Sequence, residues 1–238
     1  MLEELKAAVL AANLELPKAG LVTLTWGNVS GRDPGTGLMV IKPSGVPYSE
    51  MSEQDMVVVD DNGKVVEGER RPSTDTSTHL ALYQGIRGAG GVVHTHSTWA
   101  TTWAQAHRAI PVLGTTHADL TPFEVPVTKP LSAEDVEGDY EFATGVAILG
   151  AVSGRSAAEV PAVLVDGHGP FCWGASPAAS VAVAVTLEAV AKMAWLTTVL
   201  DPSGVPLSTH LVDRHFFRKH GPGAYYGQGN DSQGLGGA

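Results

Sequence analysis

Gly90-Gly91-Val92-Val93-His94-Thr95-His96-Ser97 is the stretch on which the reading of this chain turns. Gly90 to Val93 is a short apolar run that reads as a buried strand. Side chains on a strand alternate faces, so His94 and His96, two apart, project to the same side. Two imidazoles aimed at one point from a buried strand suit a metal, because neutral imidazole is a common ligand for zinc, copper and iron. A third histidine, His168, stands between glycines in Val165-Asp166-Gly167-His168-Gly169-Pro170, where the backbone is free to turn sharply. Single histidines in strands more often satisfy core hydrogen bonds, and His79 and His107 taken alone are read that way. The His-x-His pair with a glycine-framed partner is read as a metal site.

Working outward, the sequence on either side alternates between strand and helix signals. Residues 2–18 read as an amphipathic helix with Leu2, Leu5, Val9, Ala12 and Leu16 at helical spacing, ended by Pro17 and Gly20. Leu21 to Thr25 and Leu38 to Ile41 read as strands. Val57-Val58-Val59 and Val65-Val66 flank Asn62-Gly63, a hairpin signal. A helix is expected from Asp75 to Ile86 and another from Ser97 to Ala106, on either side of the histidine strand. Residues 112–127, punctuated by prolines, read as extended and turn-rich, and Ser132-Ala133-Glu134-Asp135 reads as a helix start. Two strands follow around Gly167-His168-Gly169. Ser176-Pro177 then opens a long helix to about Leu200, and a short one covers Thr209 to Lys219. Strands predominate through the middle and hairpins sit beside helices, so the expected fold is α+β: a layered α/β/α domain with a mostly antiparallel central sheet covered by helices. Residues 1–228 are read as a single domain, and the glycine-rich tail 229–238 as disordered.

Composition bounds the function. The chain has 238 residues, 43% of them hydrophobic, and a formal net charge of −10. That charge argues against nucleic acid or an anionic membrane as partner, while leaving room for a locally basic pocket that takes an anionic substrate. Cys172 is the one cysteine, so no intramolecular disulfide is possible and a reducing compartment is the simplest fit. The N-terminus carries Glu3 and Glu4 where a signal peptide is basic, and no run of about 18 or more apolar residues is read as a membrane span. The expectation is a soluble cytoplasmic protein.

The remaining motifs supply chemistry around the histidines. A catalytic zinc needs about three protein ligands and one open position. His94, His96 and His168 provide three nitrogens, and Asp75 is a candidate fourth ligand, although its spacing suits a helix N-cap at least as well. Trp26-Gly27-Asn28-Val29-Ser30, Lys42-Pro43-Ser44-Gly45 and Ser73-Thr74 together offer hydroxyls, glycine-turn amides and a lysine, which is what a phosphate dianion needs. Singly these are weak signals, but Ser73-Thr74 stands ahead of an expected helix, whose N-terminus attracts anions. Thr115-Thr116-His117-Ala118-Asp119 holds an acid–base candidate. The C-terminal stretch Asp213 to His220 is followed by Tyr225-Tyr226, and a tyrosine near a metal can exchange a proton.

Taken together these motifs resemble the class II aldolase and adducin head family, and within it the sugar-phosphate epimerases. The resemblance runs through Leu14 to Lys18, Thr23 to Ser30, Val40 to Gly45, His94 to Ser97, Gly114 to Asp119, His168 to Phe171, Arg218 to Gly221 and Ala224 to Gln228. The His-x-His element is common to the family, whereas the Thr-Thr-His-Ala-Asp stretch and the Tyr-Tyr-Gly-Gln ending decide the subtype. The resemblance implies that Asp75, His94, His96 and His168 bind zinc, or another divalent cation. It implies that Gly27, Asn28, Ser44, Gly45, Ser73 and Thr74 bind substrate, chiefly its phosphate. It implies that Asp119 and Tyr226 are the pair of proton donors and acceptors, with His215 in support. The family packs as a four-fold tetramer with active sites between subunits, so Asp119 and Tyr226 are expected to come to a site from different chains.

The activity so implied is interconversion of L-ribulose 5-phosphate and D-xylulose 5-phosphate, by retro-aldol cleavage and re-addition across C3–C4, as in arabinose catabolism. The alternatives are a class II sugar-phosphate aldolase of the fuculose-1-phosphate type and a non-catalytic adducin-like binding module. Aspartate rather than glutamate at Asp75, and the presence of Tyr226, argue against the aldolase. The full ligand set argues against the binding module. Without the resemblance, a two-histidine-plus-carboxylate iron oxygenase is a fair further guess, which the phosphate-type loops disfavour. Thr121-Pro122-Phe123-Glu124 departs from the aromatic-rich segment of the epimerases, and the tail after Gln228 exceeds the family's usual ending.

Overall fold

The structure is a computed structural model that describes residues 2–221 and 223–226. In chain order its elements are α1 (Glu3–Lys18), β1 (Asn28–Arg32), β2 (Met39–Ile41), β3 (Val57–Val59), β4 (Val65–Glu67), α2 (Thr76–Gly85), β5 (Gly91–His94), α3 (Thr98–Gln105), α4 (Thr115–Ala118), α5 (Ala133–Glu137), α6 (Tyr140–Ala151), β6 (Ala162–Val165), β7 (Gly169–Gly174), α7 (Pro177–Leu200) and α8 (Thr209–Phe217). The seven strands form one sheet in the order β4-β3-β2-β1-β5-β7-β6. All six neighbouring pairs are antiparallel. The histidine strand β5 is central, between β1 and β7.

Antiparallel sheets usually expose one face and alternate in polarity, yet β2, β3, β5 and β6 are buried along their whole length and, apart from His94, read as apolar runs. The reason is that both faces are covered. On β5, Val93 enters a core with Val9, Leu16, Trp103, Val181 and Leu187 of α1, α3 and α7. Its neighbour Val92 enters a second core with Leu80, Leu82 and Tyr83 of α2 and Ile148 of α6. Burial of this kind stabilises by about 25 cal/mol per Å² of apolar surface, and it fixes the register, since a one-residue slip would exchange the two cores.

Local chemistry explains most element ends. Ser132 and Asp135 form a reciprocal capping box at the start of α5, and Ser176 accepts from the Ala179 amide ahead of Pro177, which opens α7. Three expectations are corrected. Residues 21–25 are not a strand: Leu24 has φ 54° and is 76% exposed, and the chain turns there before β1 begins at Asn28. The helix α6 was not expected, although Asp139 caps it by accepting from the Phe142 amide at 3.1 Å. Finally, residues 112–127 are not extended throughout, because the short helix α4 forms within them. The expected helix α7 is long and apolar enough to cross a membrane by length and composition. One face of it packs in the core, burying Val181, Ala184, Leu187, Val190 and Ala191 against the sheet side that carries α1 and α3, while Val185, Met193, Leu196 and Val199 stay exposed. The tail 229–238 lies outside the described residues.

Candidate active site

The ladder that centres β5 also builds the site. Asn28 of β1 and Phe171 of β7 flank His94 in register. His94 ends the strand, His96 follows it, and His168 lies in the β6–β7 turn, where Gly167 takes φ 66°. The next glycine, Gly169, comes so close to the histidine segment that a Cβ there would lie 2.7 Å from the Thr95 carbonyl. The three imidazoles converge, with one ligand nitrogen from each within 4.8 Å of the others. Nε2 of His94 and Nε2 of His96 stand 3.1 Å apart.

Second contacts orient two of these rings. Nδ1–H of His94 donates to the Pro170 carbonyl at 3.0 Å, which leaves Nε2 with its lone pair facing the cluster. Nδ1 of His168 lies 3.1 Å from the Tyr140 hydroxyl. In the tautomer that frees Nε2, Nδ1–H donates to that oxygen. Ligand histidines are commonly held in this way by a hydrogen bond on the far nitrogen. Burial, then the neighbouring His94 and His96, push the pKa of His168 down to about 4, with Asp75 opposing. Burial and His94 likewise lower that of His96. At neutral pH both rings are therefore uncharged donors, the form a divalent metal requires. Convergent neutral imidazoles with held tautomers fit such an ion.

Asp75 faces the same cavity but stands outside the close group of three. It occupies the N-cap position of α2 without making a side-chain cap. Its Oδ2 instead accepts from Asn28 Nδ2 at 2.6 Å. Burial raises its pKa, but His94, His79 and the Asn28 amide outweigh that and hold it below the usual carboxylate range. The N-cap alternative is thus met in position only, since the carboxylate is turned to the cavity.

The cavity, about 550 Å³, is lined by Gly27, Asn28, Ser44, Gly45, Ser73, Thr74, Asp75, His94, His96 and His168, with Lys42, Tyr140 and Glu141 added. Gly27 is required by geometry: it has φ 80°, and a Cβ there would lie 2.9 Å from the His94 carbonyl. Asn28 donates to both Asp75 and Ser73 Oγ, the latter at 3.0 Å, so its amide braces the wall. Lys42 is 2% exposed. Its ammonium reaches the Thr25 and Pro43 carbonyls at 3.2 and 3.3 Å, and burial lowers its pKa against the opposing charge of Asp75. The ammonium also lies 5.0 Å from the Tyr48 ring centroid, and a buried ammonium held by carbonyls and a ring, with no carboxylate bonded to it among the described residues, is poised for an anion. Tyr140 and Glu141, at the start of α6, were not singled out from the sequence; the Gly138-Asp139 cap ahead of them was the available signal.

Asp119 and Tyr226 do not line this cavity. They come together elsewhere on the same chain, beside α8. Asp119 accepts from Arg218 at 3.0 and 2.6 Å, lies 3.1 Å from His215 Nδ1 and 3.3 Å from Lys219 Nζ. The Tyr226 ring lies under Arg218 and Lys219, at 4.9 and 4.5 Å from its centroid. Burial raises the Asp119 pKa, but Arg218, His215 and Lys219 overcome it, and the group is held ionised. His79 and His107 keep structural partners, Ser30 at 2.7 Å and Asp166 at 2.6 Å.

Comparison with known proteins gives the family. Residues 7–195 match the family described as the class II aldolase and adducin N-terminal domain. Over 227 residues, 95% of this chain and the whole of the relative, it is 54% identical to L-ribulose-5-phosphate 4-epimerase UlaF of Salmonella paratyphi C (strain RKS4594). The same identity and coverage hold for that enzyme in Salmonella typhi. Among solved structures it superposes on an L-fuculose 1-phosphate aldolase with a TM-score of 0.77 and 27% identity, covering 90% of this chain and 95% of the aldolase.

Proposed function

The chain belongs to the class II aldolase and adducin family, and on that premise we propose that it is an epimerase interconverting L-ribulose 5-phosphate and D-xylulose 5-phosphate. The observation that carries this reading is one cavity holding both a convergent imidazole trio and a buried lysine beside hydroxyl-bearing loops. Such a cavity suits a phosphorylated ketose, and the full-length relatives say which one. A sugar-phosphate aldolase shares the fold, and product analysis separates the two.

His94, His96 and His168 would hold a divalent cation, zinc in this reading, with Asp75 as fourth ligand. That ion supplies Lewis-acid stabilisation, worth several kcal/mol, for charge developing on the substrate's carbonyl side as C3–C4 breaks. Lys42, Ser44, Ser73 and Thr74, with the turns at Gly27 and Gly45, hold the phosphate. Their grip retains the aldehyde half while it rotates. Asp119, already ionised, accepts the C4 hydroxyl proton. The C4–O electrons become the aldehyde double bond and the C3–C4 pair passes to C3. After rotation C3 attacks the opposite face, the C3–C4 bond re-forms, and Tyr226 gives its phenolic proton to the new alkoxide; Asp119 then loses its proton to water and the Tyr226 phenolate takes one from water, which restores both groups.

Because Asp119 and Tyr226 stand away from the cavity of their own chain, the reading includes a homotetramer in which this pair serves a neighbour's cavity. Residues 1–228 act as one catalytic domain. A cytoplasmic location and a role in pentose catabolism, arabinose included, complete the proposal. The test is a coupled assay of metal-loaded protein with L-ribulose 5-phosphate, following D-xylulose 5-phosphate and free glycolaldehyde phosphate separately. Xylulose phosphate without accumulating aldehyde supports the epimerase. Aldehyde release alone makes the protein an aldolase, and silence at full metal occupancy leaves the binding-module reading.

A further inference from the structure

Arg218, directly after α8, touches both proposed proton-transfer groups, as does Lys219 beside it, but Arg218 alone of the two grips both Asp119 oxygens. Its guanidinium makes a two-point fork on Asp119, Nε to Oδ1 at 3.0 Å and NH2 to Oδ2 at 2.6 Å. The same guanidinium lies 4.9 Å from the Tyr226 ring centroid. Its carbonyl accepts from the Tyr225 and Tyr226 amides at 2.9 and 3.0 Å. The carboxylate is thus held by the side chain, and the phenol by side chain and main chain together.

We propose that Arg218 is a positioning residue that sets Asp119 and Tyr226 in fixed relation as an acid–base pair. The inference rests on the epimerase reading. A structural tie between α8 and α4 would need only the ion pair, because Val212 and Phe216 already bury α8. It would not need a tyrosine laid over the cation and left 61% exposed. The neighbouring cations cannot substitute for the fork. Lys219 is a point charge 3.3 Å from Asp119 and 4.5 Å from the Tyr226 centroid, and His215 reaches one oxygen, whereas the planar guanidinium fixes both oxygens and also meets the ring. Displacing the guanidinium takes the fork from Asp119 and one of the two cations from the Tyr226 ring, so both groups are disturbed.

The charged groups that face Asp119 are Arg218, His215 and Lys219, all from α8 and the turn after it. On its own helix, His117 turns its ring to the Phe123 carbonyl at 2.9 Å. His220 meets only the Asp119 backbone carbonyl, at 3.0 Å. Removing the guanidinium leaves Asp119 easier to protonate, so the acidic limb of kcat/KM moves to higher pH.

The experiment compares Arg218→Met, Arg218→Lys and Arg214→Met, the last an exposed residue of the same helix with no ion pair among the described residues. Metal content and Tm are measured alongside kcat, KM, the pH profile and the aldehyde-to-xylulose-phosphate ratio. Arg218→Met is expected to keep its metal and KM while kcat falls on the order of 100-fold, the scale for small misplacements of reacting groups. Its acidic limb moves up in pH. Arg218→Lys restores the limb but not kcat, and Arg214→Met matches the parent. An Arg218→Met with parental kcat and pH profile overturns the inference. If Arg218→Met fails to fold, Arg218→Lys decides, and parental kcat in that variant overturns it as well. A parent enzyme without epimerase activity removes the reading on which the inference stands, and the inference with it.

Discussion

The Tyr140 hydroxyl and Nδ1 of His168 lie 3.1 Å apart, and they join the start of α6 to the β6–β7 turn. The residues are 28 positions apart in sequence, yet the contact fixes which nitrogen of His168 is presented to the cluster. Outer partners of this kind typically contribute 10- to 100-fold to metal affinity. Tyr140→Phe is therefore expected to weaken divalent-metal binding by roughly that factor with the fold intact. Competition against a fluorescent chelator measures it, and unchanged affinity would show that the hydroxyl does not orient the ring.

His96→Asn removes one of three convergent nitrogens. Metal content by atomic absorption and epimerase activity are expected to fall together. A metal-replete, active variant would sink the assignment of the cluster.

Lys42→Met tests the phosphate site. The buried ammonium is the one cation in the cavity lining. Its loss should raise KM by at least about tenfold, the effect of removing one charge-assisted contact. It should also let glycolaldehyde phosphate escape, because a loosely held aldehyde leaves before re-addition. An unchanged KM would place the phosphate elsewhere.

Asp119→Asn keeps the size and removes the proton acceptor. Loss of a positioned acid–base group costs typically 10²- to 10⁴-fold, so kcat should fall within that range at unaltered metal content. Loss of metal instead would move Asp119 into the ligand set.

The metal-free protein should lose stability as the pH falls from neutrality. His168 and His79 have folded pKa values of about 4 and about 3, below the ordinary 6.5, because burial disfavours the imidazolium. Below pH 6.5 the unfolded chain takes up protons that the folded chain refuses, so stability declines towards pH 4. Asp75 and Asp119, also held low, add the same sign at more acid pH. Calorimetry at pH 7, 6 and 5 should show a falling Tm. A Tm constant across that span would mean that these rings are charged in the folded state.

Much of the site was legible in the sequence because it depends on local geometry. Two-residue periodicity put His94 and His96 on one face, and glycine-framed His168 read as a turn. Ser176-Pro177 and Ser132 to Asp135 announced their helices through capping groups that need only a few neighbouring residues. Where tertiary packing competes with pattern, the reading slipped. Leu21 to Thr25 has strand composition, yet Leu24 lies exposed in a left-handed turn ahead of β1.

By itself the sequence determined the layered α+β class, the shared face of His94 and His96, the glycine turn at His168 and the hydroxyl- and glycine-rich loops, because each can be read from pattern along the chain. Only the tertiary structure decided that Asp75 turns from its helix cap towards Asn28, and that Lys42 lies buried beside the ligands. It alone brought Tyr140 to His168, and set Asp119 and Tyr226 around Arg218, away from the cavity of their own chain. The physical reason is common to all of these. Each contact joins segments far apart in sequence, and its partner is chosen by how two packed cores place the sheet edges and helix ends, which no local pattern encodes.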